Sequence, residues 1–354
     1  MLICVVMVPV FSAQTPRTKG KPKHPTALEL LEKHHKACEK LQSYICNYEF
    51  EQHSKSVNPE RRNSNGKKDK YRLVEIRWDG PGQRGKYIRN AWGDVGGHPQ
   101  MQDIKKENQT HSSKMWDGKA WYQFSPSMLP GKNDLLTIMR GKTSLNLKNW
   151  SSIGTQDPFF SITKRGGILK EELAKKQIKK IKVANKTSRI GGVECYVIEA
   201  THKDGFEYNY WIDPKHDYQV AKYVSHKKAG SGDGSFPVDT DFKQIVLFSD
   251  FKKIDGKWIP MKTTVLSNTS NKQVGNAVKA KNIHKKTRVI LNPDHDALRS
   301  FVPDDVTNGA TVVLIKEGQR ITGKFVWQNG HVVDADGNKV DLEKLDNQTT
   351  NTEK

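Results

Sequence analysis

The stretch GFEYNYWIDPKHDYQVAKY, Gly205–Tyr223, decides how the chain is read. Phe206, Tyr208, Tyr210 and Ile212 recur with a period of two, which marks a strand with one apolar face. Asp213-Pro214 then breaks the run, because an Asp side chain accepts from nearby backbone N–H groups and Pro pre-sets φ. After Asp217 the set Tyr218, Val220 and Val224 resumes the strand, so the whole stretch predicts a β-hairpin. The polar trio Asp213, His216 and Asp217 has two readings, a site that moves a proton or holds a metal, and plain turn chemistry. Turn chemistry accounts for all three without a further group.

The same signals recur on both sides. SYICNYEFEQ alternates Tyr44, Cys46, Tyr48 and Phe50 with more polar neighbours. YRLVEIRW and GKYIRNAW flank Asp79-Gly80-Pro81-Gly82, and MWDGKAWYQF turns at Asp117-Gly118. Further hairpins are expected around Gly191-Gly192 and Asp255-Gly256, followed by the strand VKAKNIHKKTRVIL. Ser54–Lys70 is polar throughout and predicts a long surface loop. Leu129–Ile168 lacks alternation and offers helix or loop candidates, and Ile168–Lys176 predicts a short helix. The tail from Thr311 predicts a small antiparallel meander with turns at Glu317-Gly318, Asn329-Gly330 and Asp336-Gly337.

One helix is expected at 26–42. Thr26-x-x-Glu29 is a capping box, and Leu28, Leu31, Cys38 and Leu41 follow at helical spacing. His34 and His35 read as ordinary helix residues. The apolar run Leu2–Phe11 is shorter than the roughly 20 residues a bilayer span needs, and it fits the core of an export signal ending near Ala13. The expected organisation is a signal at 1–13, a tether at 14–25, a main domain at 26–291, a short helix and meander at 292–345, with the helix opened by Asn292-Pro293, and a disordered tail at 346–354. Loss of the signal removes Cys4 and leaves Cys38, Cys46 and Cys195. These allow either a Cys38–Cys46 bridge or three buried thiols.

Lys and Arg number 59 against 39 Asp and Glu, a formal net charge of +20. Such a field draws acidic head groups, anionic envelope polymers or nucleic acid. The densest segment, Lys164–Arg189, carries ten basic and two acidic residues. Nucleic acid is not the expected partner, because the aromatic residues alternate on strands instead of standing out as stacking platforms. No P-loop, G-x-S-x-G or H-E-x-x-H motif is present. His216-Asp217 and His295-Asp296 would make a metal site only if their turns met. No cofactor, metal or catalytic residue is expected. An enzyme working through His216 and Asp217 is the reading set aside.

SYICNYEFE, then GGVECYVIEA at Gly191–Ala200, YWIDP at Tyr210–Pro214 and GKWIPMK at Gly256–Lys262 together resemble the superfamily of LolA, LolB and RseB-like periplasmic proteins of Gram-negative bacteria, which includes outer-membrane lipoprotein-sorting proteins. The resemblance covers Thr26–Leu291. The inserts at Ser54–Lys70 and Leu129–Ile168 and the C-terminal meander depart from its pattern. It implies an α+β, mostly β fold: a large curved antiparallel sheet, a half-barrel, covered by helices, with a hydrophobic cavity for acyl chains. The expected function is an exported, non-enzymatic binding protein of the envelope that holds a lipid or lipoprotein acyl chains. The expected ligand-binding residues are Tyr44, Tyr48, Phe50, Phe206, Tyr208, Tyr210 and Ile212. The alternative is a structural or interaction protein with a filled core and a basic partner-binding face.

Overall fold

The computed structural model describes residues 25–39, 41–57, 66–92, 110–127, 133–140, 176–231, 239–271, 273 and 275–344. The export signal, most of the tether, the short helix expected from Ile168 and the C-terminal tail lie outside the described residues.

Among the described residues the chain forms one long helix, α1 (Ala27–Glu39), a 3-10 turn at Pro214–His216, a helical turn at 342–344 and eighteen strands. The first six are β1 (Ser43–Val57), β2 (Gly66–Asp79), β3 (Arg84–Trp92), β4 (Thr110–Trp116), β5 (Ala120–Ser125) and β6 (Leu135–Arg140). Then come β7 (Ile178–Val183), β8 (Ser188–Ile190), β9 (Val193–His202), β10 (Glu207–Asp213), β11 (Gln219–Lys227), β12 (Thr240–Ile254), β13 (Lys257–Asn271) and β14 (Asn276–Leu291). The tail adds β15 (Thr311–Lys316), β16 (Gln319–Arg320), β17 (Phe325–Gln328) and β18 (His331–Val333).

Each strand from β9 to β14 pairs antiparallel with the next. β14 returns to β1, and β1 to β6 continue in order. β7 and β8 both pair with β9 at one end, and β15 adds parallel to β6 at the other. The result is the expected large, curved, unclosed sheet of mostly antiparallel strands.

The capping box forms as expected. The Thr26 N–H donates to Glu29 Oε2 (2.6 Å) and the Glu29 N–H to Thr26 Oγ1 (3.2 Å). The buried stripe of α1 differs from the expected one: Ala27, Leu30, Leu31, His34 and Cys38 face the sheet, while Leu28 is 62% exposed. This face packs on Ile198, Tyr210, Ile212, Val220, Val246 and Phe248. His34 is therefore an anchor and not a surface residue, with Nδ1 3.0 Å from the Tyr218 carbonyl oxygen. Lys33 Nζ donates to the Tyr218 hydroxyl at 3.1 Å, so the helix is fastened to the turn after Asp213.

Of the loop expected at Ser54–Lys70, residues 54–57 and 66–70 are instead strand ends, with Ser54 opposite Lys68 on β2 and opposite Ala280 on β14, and residues 58–65 lie outside the described residues. A polar strand flanked on both sides needs no apolar face to satisfy its backbone. β6 lies in the segment read as helix or loop; its buried residues are only Leu136 and Ile138. The helix expected from Asn292-Pro293 is a succession of turns. Asn292 has φ 47° and donates its N–H to Ser43, and Asp294 supplies the cap by accepting from the Ala297 N–H at 2.9 Å. All three described cysteines are free and buried. Cys38 lies on the buried face of α1 and Cys46 in a different cluster, with Tyr44 and Ile76, so the Cys38–Cys46 bridge is replaced by separate thiols. Burial pushes the Cys38 thiol up to about 12.

The register sorts the side chains onto two faces. The inner face carries α1 and, further along, Tyr44, Cys46, Tyr48, Val74, Ile76 and Tyr87. The outer face of β5 and β6 is covered by the C-terminal segment, which packs Val312, Leu314, Trp327 and Val332 on Phe124, Leu136 and Ile138. A buried ionic knot pins this cover. Lys86, fully buried on β3, pairs with Asp304 and with Asp305 (2.7 Å), and His111 Nε2 lies 2.9 Å from Asp305. Burial raises the Asp305 carboxyl, but the hydrogen bond from His111 and the Lys86 charge outweigh it and hold the group well below the ordinary carboxylate range.

Removing one partner of a buried pair costs about 3–5 kcal/mol. Asp305→Asn should therefore lower the unfolding free energy by about 3 kcal/mol in urea titrations, and Lys86→Met/Asp305→Leu should recover part of the loss. Because the folded carboxyl is depressed, the knot stabilises above the unfolded value near 3.9, and its contribution is lost as pH falls below that.

Candidate functional site

The seven residues singled out from sequence fall into two groups on the inner face. Phe206, Tyr208 and Tyr210 form a chain of rings, with Phe206 stacked on Tyr208 (centroids 5.9 Å, planes 10° apart) and Tyr210 against Tyr223 at 4.9 Å. Tyr210 and Ile212 lie under α1 and are buried, while Phe206 and Tyr208 are half-buried. The second group is Tyr44 and Tyr48, each 2% exposed, with half-buried Phe50. Five strand steps separate β10 from β1, about 24 Å along the sheet at roughly 4.8 Å per step. The two groups thus lie on one face of the sheet, on either side of β12–β14.

The strip of that face between them is polar, which the alternating aromatics do not announce. A β-bulge decides which polar residues stand there: Asn47 pairs with Arg288 and Tyr48 with Lys286, leaving Thr287 as the extra residue. Without the bulge, Thr287 and Lys285 would face inward. With it, Lys286 and His284 do, while Lys285 stays on the outer face and pairs with Glu51 at 2.8 Å. His284 lies against Phe50 (4.9 Å, edge-on) and Tyr48 (5.5 Å). Thr263 sits directly across from it on β13, and Asn282 is two residues along. Thr263 Oγ1, Asn282 Oδ1 and His284 Nδ1 are all buried, and among the described residues no protein group hydrogen-bonds to them. Lys286 Nζ donates to the Pro260 carbonyl oxygen beside them. Burial, with the Lys286 charge behind it, lowers His284 to about 3, so the ring is neutral at physiological pH. A neutral imidazole, a hydroxyl and an amide oxygen can hold a polar, uncharged group by hydrogen bonds. The sequence signal for this cluster was His284 inside a strand otherwise rich in Lys, combined with a register shift that alternation does not reveal.

The polar trio is turn chemistry. Asp213 Oδ1 accepts from the Lys215 N–H (2.8 Å) and the His216 N–H (3.3 Å), and His216 Nδ1 is 2.6 Å from Asp213 Oδ2. The His216 ring stacks on Phe251 at 4.4 Å, and Asp217 turns the chain with φ 55°. His295 is held elsewhere, with Nε2 3.0 Å from the Trp78 carbonyl oxygen, and Asp296 pairs with Arg84 at 2.6 Å. The two His-Asp pairs do not converge, and among the described residues no group of three or more His, Cys, Asp or Glu is placed to hold a metal. Much of the basic segment Lys164–Arg189 lies outside the described residues; within the rest, Lys182 pairs with Glu199 and Arg189 with Glu194.

A group whose folded pKa is depressed stabilises above its unfolded value and loses that contribution as pH falls. For His284 the window opens near 6.5, the ordinary histidine value, and runs down toward 3. Between pH 6.5 and about 5, where carboxylates are still ionised, the thermal midpoint should fall with pH. His284→Phe should flatten that slope; an unchanged slope would show that His284 is not the group responsible.

Among the described residues no helix is long and apolar enough to cross a membrane. No family model matches the chain, and no curated protein does. Solved structures similar to it include a LolA superfamily protein from Nitrosomonas europaea, at 11% identity over 80% of this chain and all of that one, with a TM-score of 0.32. MucB of Pseudomonas aeruginosa, solved in complex with MucA, is 8% identical over 76% of this chain and 95% of that one, with a TM-score of 0.24. Lipovitellin, described for its lipid–protein interactions, is 9% identical over 71% of this chain and 26% of its own, with a TM-score of 0.30.

Proposed function

We propose that the chain is an exported, non-enzymatic binding protein of the cell envelope that takes a lipid or an acylated protein on the inner face of its sheet. The observation that carries this reading is the make-up of the inner face: half-buried Phe50 on one flank, half-buried Phe206 and Tyr208 on the other, and buried polar atoms of Thr263, Asn282 and His284 between them. An acyl chain would lie along the aromatic flanks, gaining about 0.8 kcal/mol for each CH₂ taken from water. The ester, amide or hydroxyl region of the ligand would sit over the polar centre, where each buried group otherwise costs about 1–3 kcal/mol for want of a partner. Binding of this kind needs no covalent step. The basic surface suits ligands or membranes with acidic head groups.

A second reading, a structural or interaction protein with a filled core, is favoured by the complete burial of Tyr44, Tyr48, Tyr210 and Ile212. The two readings separate on the half-buried rings. Organic extraction of the purified protein followed by mass spectrometry should find a co-purifying lipid, and a fluorescent fatty acid should bind. Phe206→Ser/Tyr208→Ser should weaken the probe at least tenfold, the scale expected for one or two partly buried aromatic contacts. If no lipid co-purifies and the probe does not bind, the filled-core reading stands instead.

A further inference from the structure

The outer face of the same central strands carries a feature that the inner face does not use. The ladder aligns Lys55 on β1, Lys279 on β14 and Lys243 on β12 in one cross-strand row, with Asn268 of β13 between the last two. The neighbouring row on that face brings Lys281 beside Leu266 and Ile245. Together the rows line an open groove of about 660 Å³, with an aliphatic floor and ammonium groups on its walls.

All four lysines are exposed, and among the described residues none pairs with a carboxylate. The acids at the rim are already engaged, Glu51 with Lys285 (2.8 Å) and Asp241 with His226 (3.5 Å). Lys55 and Lys279 stand directly opposite each other, an arrangement that destabilises a sheet. Lysines often guard edge strands against aggregation, but β1, β12, β13 and β14 are interior strands paired on both sides, so that role does not explain these. The remaining use of unpaired cations around an aliphatic floor is to meet an anion that brings apolar surface with it. Apart from His53 the groove has no aromatic ring, which removes the stacking platform that single-stranded nucleic acid needs.

We propose that this groove docks the protein on an anionic phospholipid bilayer, the ammonium groups of Lys55, Lys243, Lys279 and Lys281 meeting lipid phosphates while Leu266 and Ile245 reach the acyl boundary. The choice of a bilayer over an acidic protein rests on the inner-face reading of the chain as a lipid-binding protein. The two faces then divide the work, with the outer face holding the membrane while the inner face loads or unloads its ligand.

The test is co-sedimentation of the full chain with vesicles of phosphatidylcholine alone and with added phosphatidylglycerol. Binding should require phosphatidylglycerol, fall as salt is raised, and resist millimolar inorganic phosphate. Each lysine near an anionic surface contributes about fivefold to partitioning, so Lys55→Gln/Lys279→Gln should weaken binding about 25-fold. The thermal midpoint should hold or rise, because a like-charge opposition is relieved. Lys252→Gln/Lys253→Gln, exposed and outside the groove, serves as the control for general basicity and should have a much smaller effect. Equal losses in the two pairs, or none in the groove pair, would overturn the proposal. Groove-dependent binding of polyglutamate without binding of the vesicles would overturn it in favour of an acidic protein partner. The groove variants should leave the fatty-acid probe's affinity unchanged, so docking can fail while the inner-face reading stands, and the reverse.

Discussion

The pairing of β1 with β14 is the constraint on which the rest of this molecule depends. It runs over fourteen positions, from Tyr44 opposite Leu291 to Val57 opposite Ala277. It is also the one junction between two otherwise sequential ladders, β1–β6 and β9–β14. Each ladder could be assembled from hairpins and short connections, but their union requires residues more than 200 positions apart to meet. Closing a loop of that length costs only slowly more entropy than closing a short one, so the junction is affordable once the ladders exist. It is also slow to find, which places it late in folding. Its register decides which residues share a face across the whole sheet, because a slip of one residue would exchange the two faces.

The bulge at Thr287 makes that register unequal along its length. From Cys46 outward to Tyr44, aliphatic Val289 and Leu291 face inward and complete a core; from Tyr48 to Phe50, Lys286 and His284 do so. One extra residue thus decides which polar side chains stand in the middle, His284 and Lys286 in place of Lys285 and Thr287. On the outer face the same step leaves Lys285 where Glu51 can reach it and sets Lys279 opposite Lys55, while the alignment of Lys279 with Lys243 is fixed separately through Asn268 of β13.

The architecture was legible where composition and periodicity agree. The alternation in SYICNYEFEQ and GFEYNYWID, the Asp-Gly and Gly-Gly turns and the capping box at Thr26 each describe a local preference that tertiary packing has no reason to override. Legibility failed where the ladder supplied what the local sequence did not. Ser54–Val57 is a strand because β14 bonds its backbone along its length and β2 along Ser54–Ser56, and Gly66–Lys70 because β1 bonds it, although their side chains read as a loop. Leu28 looked like a core position and is exposed, because the stripe through Leu30, His34 and Cys38 is the one that meets Tyr218 and Tyr210. Of the site, the aromatic flanks were visible as period-two residues. The centre was not, because His284, Thr263 and Asn282 come together only through two cross-strand registers and a bulge.

The distribution of coverage on the two faces argues for what kind of object this sheet is. α1 seals the inner face at β10–β12, and the C-terminal segment seals the outer face at β3–β6 through Lys86, Asp304 and Asp305. These covers sit at opposite ends and on opposite sides, so each steadies one end of the sheet. Between them, at β13, β14 and β1, the inner surface presents rings around buried polar atoms and the outer surface presents lysines around aliphatic side chains. A sheet serving only as a packed core would put its unsatisfied groups at the rim, where water meets them at no cost. Three of them, on Thr263, Asn282 and His284, lie instead at the middle of the long strands β13 and β14, which is the placement the proposed binding role requires of a rigid frame.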